Sequence, residues 1–370
     1  MKRIGIVGGG QLGRMLSFEA KRMGFEVVIL DPTRNSPAGQ VSDFQIVSRY
    51  DDLSRIDDFI NGCDVITYEF EHISVEFLRE IEKRGREVIP SSNTLEIIQD
   101  KLNQKLFLKE KGFNVPRIYK RDELDKIDSF PCMLKFSRGG YDGKGNILIE
   151  SPSHLKDIVS NLKYDFFIEE LIQFEKEISI LVARNKSGQI KHFSPVENIH
   201  KNSILHLSIS PARIDKKTEE KIYEIADRFI EAIGDYGIFC IEMFLDKEGN
   251  IYINEIAPRP HNSGHHTIES CITSQFEQHI RSILNLPLGS TRQISKAVMR
   301  NILGDKDIEG RYYLKGFEEL LKTEGLFLHL YGKSEVKRGR KMGHITYLCN
   351  DLEEGIERLS NMEFEFIGGC

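Results

Sequence analysis

The sequence predicts a multidomain chain of mixed α/β and α+β type. Three observations carry that expectation. The length, 370 residues, corresponds to two or three domains at roughly 150 residues each. Residues 1–100 alternate short apolar runs with helical periodicity, the mark of βαβ units and a parallel sheet. Near residue 100 the texture changes to hairpins and longer strands, and near 290 it changes again to short β-like segments. The expected domains are therefore 1–100, 101–290 and 291–370.

The elements follow in order. Ile4–Val7 is an apolar run, and glycines separate it from a helical stretch, Gln11–Met23, that Gly24 ends. Phe25–Leu30 is a second strand, stopped by Asp31-Pro32. Val65–Phe70 reads as a strand, Val75–Lys83 as a helix, and Val88–Ile89 as a short strand before Pro90. Lys101–Lys111 is a helix closed by Gly112. Strands are expected at Cys132–Phe136, Asn146–Glu150, Phe166–Ile172, Glu177–Ala183 and Ile190–Val196. Lys216–Ile233 is a long amphipathic helix, and Phe239–Leu245 with Ile251–Ile256 forms a hairpin. Ser274–Leu284 is a helix, as is Asp351–Ser360 in the C-terminal region.

Composition narrows the function. Acidic residues outnumber basic ones, 57 to 51, for a net charge of −6, which argues against a general nucleic-acid binder. No apolar run approaches the length of a membrane span. The N-terminus breaks into glycines too early for a signal peptide. The six cysteines are scattered, with no Cys-x-x-Cys pair, so reduced thiols in a cytoplasmic protein are expected.

Four segments carry chemistry. Gly8-x-Gly10-x-x-Gly13 lies between a strand and a helix, where free N–H groups meet an anion. Asp31 stands where an NAD enzyme places its ribose carboxylate, so a dinucleotide, another anion and a purely structural turn all remain open. Ser137–Gly145 holds four glycines in seven residues between two strands, which suits a cover over nucleotide phosphates. It is not a Walker A loop, because no Ser or Thr follows Gly143-Lys144. Lys135 and Lys144 would supply charge there.

The third segment is the hairpin. A four-residue turn at 247–250 pairs Asp246 with Ile251 and therefore Glu242 with Glu255. Carboxylates about 5 Å apart repel by about 3 kcal/mol at an effective dielectric near 20, so a cation is expected between them. Two carboxylates completed by phosphate oxygens and water describe Mg²⁺ better than zinc. The fourth segment is Ala257–His266. Prolines 258 and 260 stiffen it, Arg259 binds anions, and His261 and Asn262 offer directional hydrogen bonds. A basic cluster, Lys333, Lys337, Arg338, Arg340, Lys341 and His344, suits a phosphate monoester, a nucleic-acid contact or a solvated face.

Together these segments resemble the ATP-grasp superfamily and, within it, the N5-carboxyaminoimidazole ribonucleotide synthetases of purine biosynthesis. The resemblance spans the chain. Its motifs are Gly8–Met15, Glu69-Phe70-Glu71-His72, Gly140–Gly145, Asn254–His265 and Gly339–His344, of which the last two are the most specific. His266 departs from it, standing where an aromatic ring is expected.

The resemblance implies a Rossmann-like N-terminal domain, a central ATP-grasp domain and a small β-rich C-terminal domain, usually as a homodimer. It implies an ATP-dependent ligase that joins bicarbonate to 5-aminoimidazole ribonucleotide through carboxyphosphate, with Mg²⁺. It implies ATP contacts from Lys101, Lys135 and the loop Gly140, Tyr141, Asp142, Gly143, Lys144, Gly145 and Asn146. Glu169, Glu170, Leu171 and Ile172 would face adenine, largely through backbone groups. Glu177 would take the ribose, His200, Asn254 and Glu255 would complete the pocket, and Glu242 and Glu255 would hold the metal. Arg259, His261 and Asn262 would be catalytic at the bicarbonate and aminoimidazole end. Lys333 and Arg340 would hold the ribonucleotide phosphate, with Gln11, Glu69 and Tyr141 lining the same site. Competing readings are another ATP-grasp carboxylase or transformylase, an NAD-dependent oxidoreductase, and a nucleotide sensor without turnover.

Overall fold

A computed structural model describes residues 2–139 and 145–369. The N-terminal unit is a parallel sheet in the order Phe44–Ile46, Glu26–Leu30, Arg3–Val7, Val65–Tyr68. Glu26–Leu30, Arg3–Val7 and Val65–Tyr68 are buried on both faces almost throughout, as continuous apolar runs require, whereas the edge strand Phe44–Ile46 is partly exposed. The expected strand at Val88–Ile89 is reduced to a single parallel bridge, Val88 to Ile66. Phe44–Ile46 and the helix Ser92–Gln99 escape the sequence reading. Ser91 caps that helix by accepting the Thr94 N–H, a signal hidden behind Pro90.

The central region holds two antiparallel sheets. The smaller one runs Ile118–Tyr119, Phe166–Glu170, Cys132–Phe136, Asn146–Ile149. Helix Pro152–Ser160 joins it, and together they enclose a separate core that includes Leu134, Ile149, Leu155 and Ile168. The larger sheet runs Ile251–Ala257, Gly237–Asp246, Phe174–Arg184, Val196–Lys201, Ile204–Ser210, Lys296–Leu303, Lys341–Cys349, Leu326–Leu330. The expected strand Ile190–Val196 is corrected: Ile190–His192 and Val196–Lys201 are separate strands, both paired with Phe174–Arg184. Pro195 lies between them, where a missing N–H breaks a ladder.

Helix Lys216–Ile233 packs Ile222, Ala226, Phe229 and Ile230 against this sheet. Asp215 caps its start and Gly234, at φ 67°, ends it in the left-handed region that glycine tolerates. Helix Gln275–Ile283 sets Phe276, Ile280 and Ile283 into one core with Leu12, Met15 and Leu16, welding the N-terminal unit to the larger sheet.

The hairpin register holds one correction. Glu242 does oppose Glu255, but Leu245 pairs with Ile251, so the turn has five residues. The ladder then slips between Glu242 and Met243, leaving Asn254 as an extra residue. The bulge offsets the longer turn and restores the predicted pairing.

Candidate active site

A cavity of about 960 Å³ opens between the two central sheets and reaches the N-terminal unit. Its elements explain its three zones. Strand ends of the two sheets supply Met133, Leu171, Ile172, Phe174 and Phe244 at one end, with the last two rings stacked 4.8 Å apart. The middle carries charge. Lys101, at the Asp100-capped start of helix Lys101–Glu110, donates to Glu255 Oε2 at 3.1 Å. Lys135 donates to Glu169 Oε1 at 2.9 Å and to Asn254 Oδ1 at 3.0 Å. Asn254 and Glu255 are consecutive, yet both line the cavity, which regular alternation forbids and the bulge permits.

The electrostatics separate the paired carboxylates. Burial raises the Glu255 pKa, but the adjacent Lys101 ammonium outweighs it and holds Glu255 below the ordinary carboxylate range. Glu242 lacks such a partner. Burial, with the Glu255 charge opposite, pushes it up to about 7. Glu177 contacts the His200 Nδ1; burial opposes a charge on that ring, but the carboxylate prevails and its pKa rises.

The far end is built from two domains. Arg259 Nη2 lies 2.7 Å from Glu71 Oε1, and Nη1 donates to the Pro260 carbonyl at 3.0 Å. His261 sits 3.7 Å from Glu242, and its Nδ1 shares a hydrogen bond with Ser263 Oγ. Burial and the nearby Arg259 hold its pKa far below the usual value, so the ring is neutral. Asn262 is 8% exposed, and neither its amide nitrogen nor its oxygen has a partner in the protein. A buried, unpaired amide at a cavity wall is a ready ligand contact.

Most expected residues gather here. Gln11, Glu69, Lys101, Lys135, Asn146, Glu169, Glu170, Leu171, Ile172, Glu177, His200, Glu242, Asn254, Glu255, Arg259, His261 and Asn262 all line this cavity. Gly140, Tyr141, Asp142, Gly143 and Lys144 lie outside the described residues. Gly145 does not line it; at φ 88° it closes the hairpin, its carbonyl accepting the Phe136 N–H. Lys333 and Arg340 are not among the lining residues. Lys333 lies over the Tyr331 ring, and Arg340 pairs with Glu335 at 3.3 Å. Lys341, from the same basic cluster, lines the cavity instead.

The dinucleotide alternative finds no open site at the glycine turn. Glu69 accepts the N–H groups of Gly10 and Gly13, so the protein's own carboxylate occupies the helix N-terminus. Asp31 accepts from Gly9 and Thr33, each at 2.7 Å, and from the Tyr50 hydroxyl at 2.6 Å. Neither a pyrophosphate nor a ribose finds those groups open. A Cβ on Gly10 would fall 2.5 Å from Glu69 Oε1, which is why glycine stands there.

Sequence reasoning missed two site residues. Lys105 lies 3.2 Å from Glu169 Oε2, and its signal was its spacing, four residues after Lys101 on one helical face. Glu71 sat within a quoted motif, but nothing local links it to Arg259, 188 positions away.

Two antiparallel sheets gripping a cavity lined by lysines and carboxylates define the class of an ATP-grasp enzyme. Comparison with known proteins agrees. Residues 1–99 match the ribonucleotide synthetase preATP-grasp domain, 106–276 the ATP-grasp domain, and 297–358 the phosphoribosylaminoimidazole carboxylase C-terminal domain. The chain is 38% identical to N5-carboxyaminoimidazole ribonucleotide synthase of Bacillus subtilis strain 168, covering 99% of this chain and 96% of the other. It resembles the crystal structure of the Thermotoga maritima synthetase at 46% identity and TM-score 0.90, covering 100% of both chains. An Aspergillus clavatus synthase, solved with ADP and 5-aminoimidazole ribonucleotide, is 31% identical with TM-score 0.87, covering 97% of this chain and 98% of that one. The chain belongs to the N5-carboxyaminoimidazole ribonucleotide synthase family.

Proposed function

We propose that this chain carboxylates the exocyclic amine of 5-aminoimidazole ribonucleotide, using bicarbonate and cleaving ATP to ADP and phosphate. The observation that carries this reading is the continuity of the cavity. One space is lined by the apolar side chains of Met133, Leu171, Ile172, Phe174 and Phe244, by Lys101 and Lys135, and by Arg259, His261 and Asn262. A phosphoryl group transferred in the middle is therefore within reach of an acceptor held at the far end. Carboxyphosphate formed there need not leave the protein.

In this reading the residues position and neutralise rather than attack. Lys101 and Lys135 offset charge on the transferring phosphoryl group. Glu177 takes ribose hydroxyls beside His200. Arg259, already fixed by Glu71, presents its guanidinium to bicarbonate or carboxyphosphate. Neutral His261 presents an uncharged ring at the end where the amine is carboxylated. Lys341 and Lys333 supply positive charge for the ribonucleotide phosphate, and Arg340, adjacent to Lys341 in the chain, pairs with Glu335.

The residues fit Mg²⁺. Among the described residues no group of three or more His, Cys, Asp or Glu is arranged to hold a metal by itself. The Glu242–Glu255 pair, in which Lys101 compensates only Glu255, suits an ion completed by phosphate oxygens. When bound, such an ion supplies Lewis-acid stabilisation of the phosphates.

We also read the chain as a cytoplasmic homodimer with domain limits near 100 and 290. Five described cysteines are free and buried, as a reducing compartment allows, and among the described residues no helix is long and apolar enough to cross a membrane. The domain limits are supported by the unmatched stretches 100–105 and 277–296.

The test is ADP release in Mg²⁺-ATP and bicarbonate, with and without 5-aminoimidazole ribonucleotide. Strong stimulation with loss of the free amine is expected. Stimulation by glycinamide ribonucleotide and formate instead would replace the substrate and keep the class.

A further inference from the structure

We propose that Lys105 sets the nucleobase specificity of this site, by keeping Glu169 an ionised hydrogen-bond acceptor at the base end of the cavity. The inference rests on the reading above, in which that end receives the base of the nucleotide.

The geometry is a buried triad. Lys105 and Glu169 are each 2% exposed. Lys105 Nζ donates to the Ile253 carbonyl at 3.0 Å and lies 3.2 Å from Glu169 Oε2. Glu169 Oε1 takes the Lys135 ammonium, while Oε2 receives no hydrogen bond. Glu169 lines the cavity beside Met133 and Leu171, so a carboxylate held between two ammonium groups, its Oε2 buried towards Lys105, stands among apolar side chains.

Burial alone would protonate that carboxyl group. The two ammonium groups prevent it: despite burial, Glu169 stays below its ordinary pKa, with Lys105 the larger influence and Lys135 next. The two lysines are not equivalent. Lys135 is shared with Asn254 and faces the phosphate zone, whereas Lys105 meets only the carboxylate and a backbone carbonyl. Burial pulls Lys105 itself down to about 8, which leaves it charged at neutral pH.

The consequence is a choice between donor and acceptor. An ionised carboxylate accepts from the 6-amino group of adenine and repels the 6-oxo group of hypoxanthine. A protonated carboxyl group has a donor to offer and accepts both. Removing the Lys105 charge while keeping its bulk therefore erodes discrimination, which a merely structural lysine would not do.

The experiment uses the full chain. Affinities for ADP and IDP are measured by calorimetry, and kcat/KM for ATP and ITP by ribonucleotide-stimulated turnover, in wild type, Lys105→Met, Lys105→Arg and Glu169→Gln. The adenine-to-hypoxanthine preference should fall about tenfold or more in Lys105→Met and Glu169→Gln, and stay within about threefold in Lys105→Arg. Equal losses for both bases in Lys105→Met would overturn the proposal. Should Lys105→Met fail to fold, an unchanged preference in Glu169→Gln would overturn it equally. A wild type that binds ADP but shows no ribonucleotide-stimulated turnover would instead remove the proposed reaction, and the ADP-to-IDP ratio would still decide the role of Lys105.

Discussion

Glu71 and Arg259 meet across a domain boundary, with Nη2 2.7 and 2.9 Å from the two carboxylate oxygens. Both are mostly buried, so neither charge has water to fall back on. Replacing Glu71 with Gln keeps one hydrogen bond and removes the compensating charge. Ribonucleotide-stimulated ADP release should fall by about tenfold or more, while ADP affinity by calorimetry stays within about threefold. A loss of ADP affinity as large as the loss of turnover would count against this division. Glu255→Gln is expected to act differently, since it frees Lys101 and halves the paired carboxylates. Turnover should drop by about a hundredfold or more, and added Mg²⁺ should no longer raise the melting temperature of the ADP complex. At this scale, legibility tracked locality. Glu242, Glu255 and Arg259 were readable because strand pairing and nearby prolines fix them. Glu69 was visible in its motif, but its occupation of the glycine turn depends on a fold that brings residues 10, 13 and 69 together.

Individual elements show why other features were hidden. The strand Ile204–Ser210 is buried nearly throughout, so no polar alternation announces it. Asn254 disguises itself as an ordinary strand residue, although its bulge places two adjacent side chains in the cavity. A further element-scale feature is the seam between strands Leu326–Leu330 and Lys341–Cys349 and the loop after Asn262. His329 and His344 stack at 4.4 Å, and His344 and His265 lie 4.6 Å apart. Glu269 meets His329 at 2.6 Å, and the Tyr331 hydroxyl meets His344 Nδ1 at 2.8 Å. Burial, then the neighbouring imidazoles, hold His265 and His344 far below the usual histidine pKa. Below about pH 6.5 the unfolded chain therefore binds protons that the folded chain refuses. Stability present above that pH is lost as the pH falls, by about 1.4 kcal/mol per pH unit for each such ring. Melting temperatures from pH 7.5 to 5.5 should fall less steeply in His344→Gln than in wild type. Parallel curves would exclude His344 as a contributor.

Across the whole molecule, the strands of the C-terminal domain are joined to those of the central one. Ser210 pairs with Ala297 and Leu207 with Arg300, so Lys296–Leu303, Lys341–Cys349 and Leu326–Leu330 continue the larger central sheet. The three-part order of the chain was legible in its changes of texture; this continuity was not, because cross-strand pairing between distant segments leaves no local trace. The N-terminal unit shares a core with helix Gln275–Ile283 and is bound to the same body. The small sheet stands apart, with its own apolar core. Its cavity-side contacts to the rest include the polar ones of Lys105, Lys135, Glu169 and Asn254. Hydrogen exchange should therefore report ADP binding most strongly in residues 118–170, with smaller changes in the strands Ile204–Ser210 and Lys296–Leu303. Equal protection in both sheets would contradict that division. Mechanically, the small sheet is a jaw and the larger sheet an anvil. The anvil side carries Arg259, His261 and Lys341. Any work spent in moving the jaw against the anvil is subtracted from the measured nucleotide affinity. Stiffening the short connections on either side of the jaw in its nucleotide-bound position would then tighten binding without adding one contact to the nucleotide.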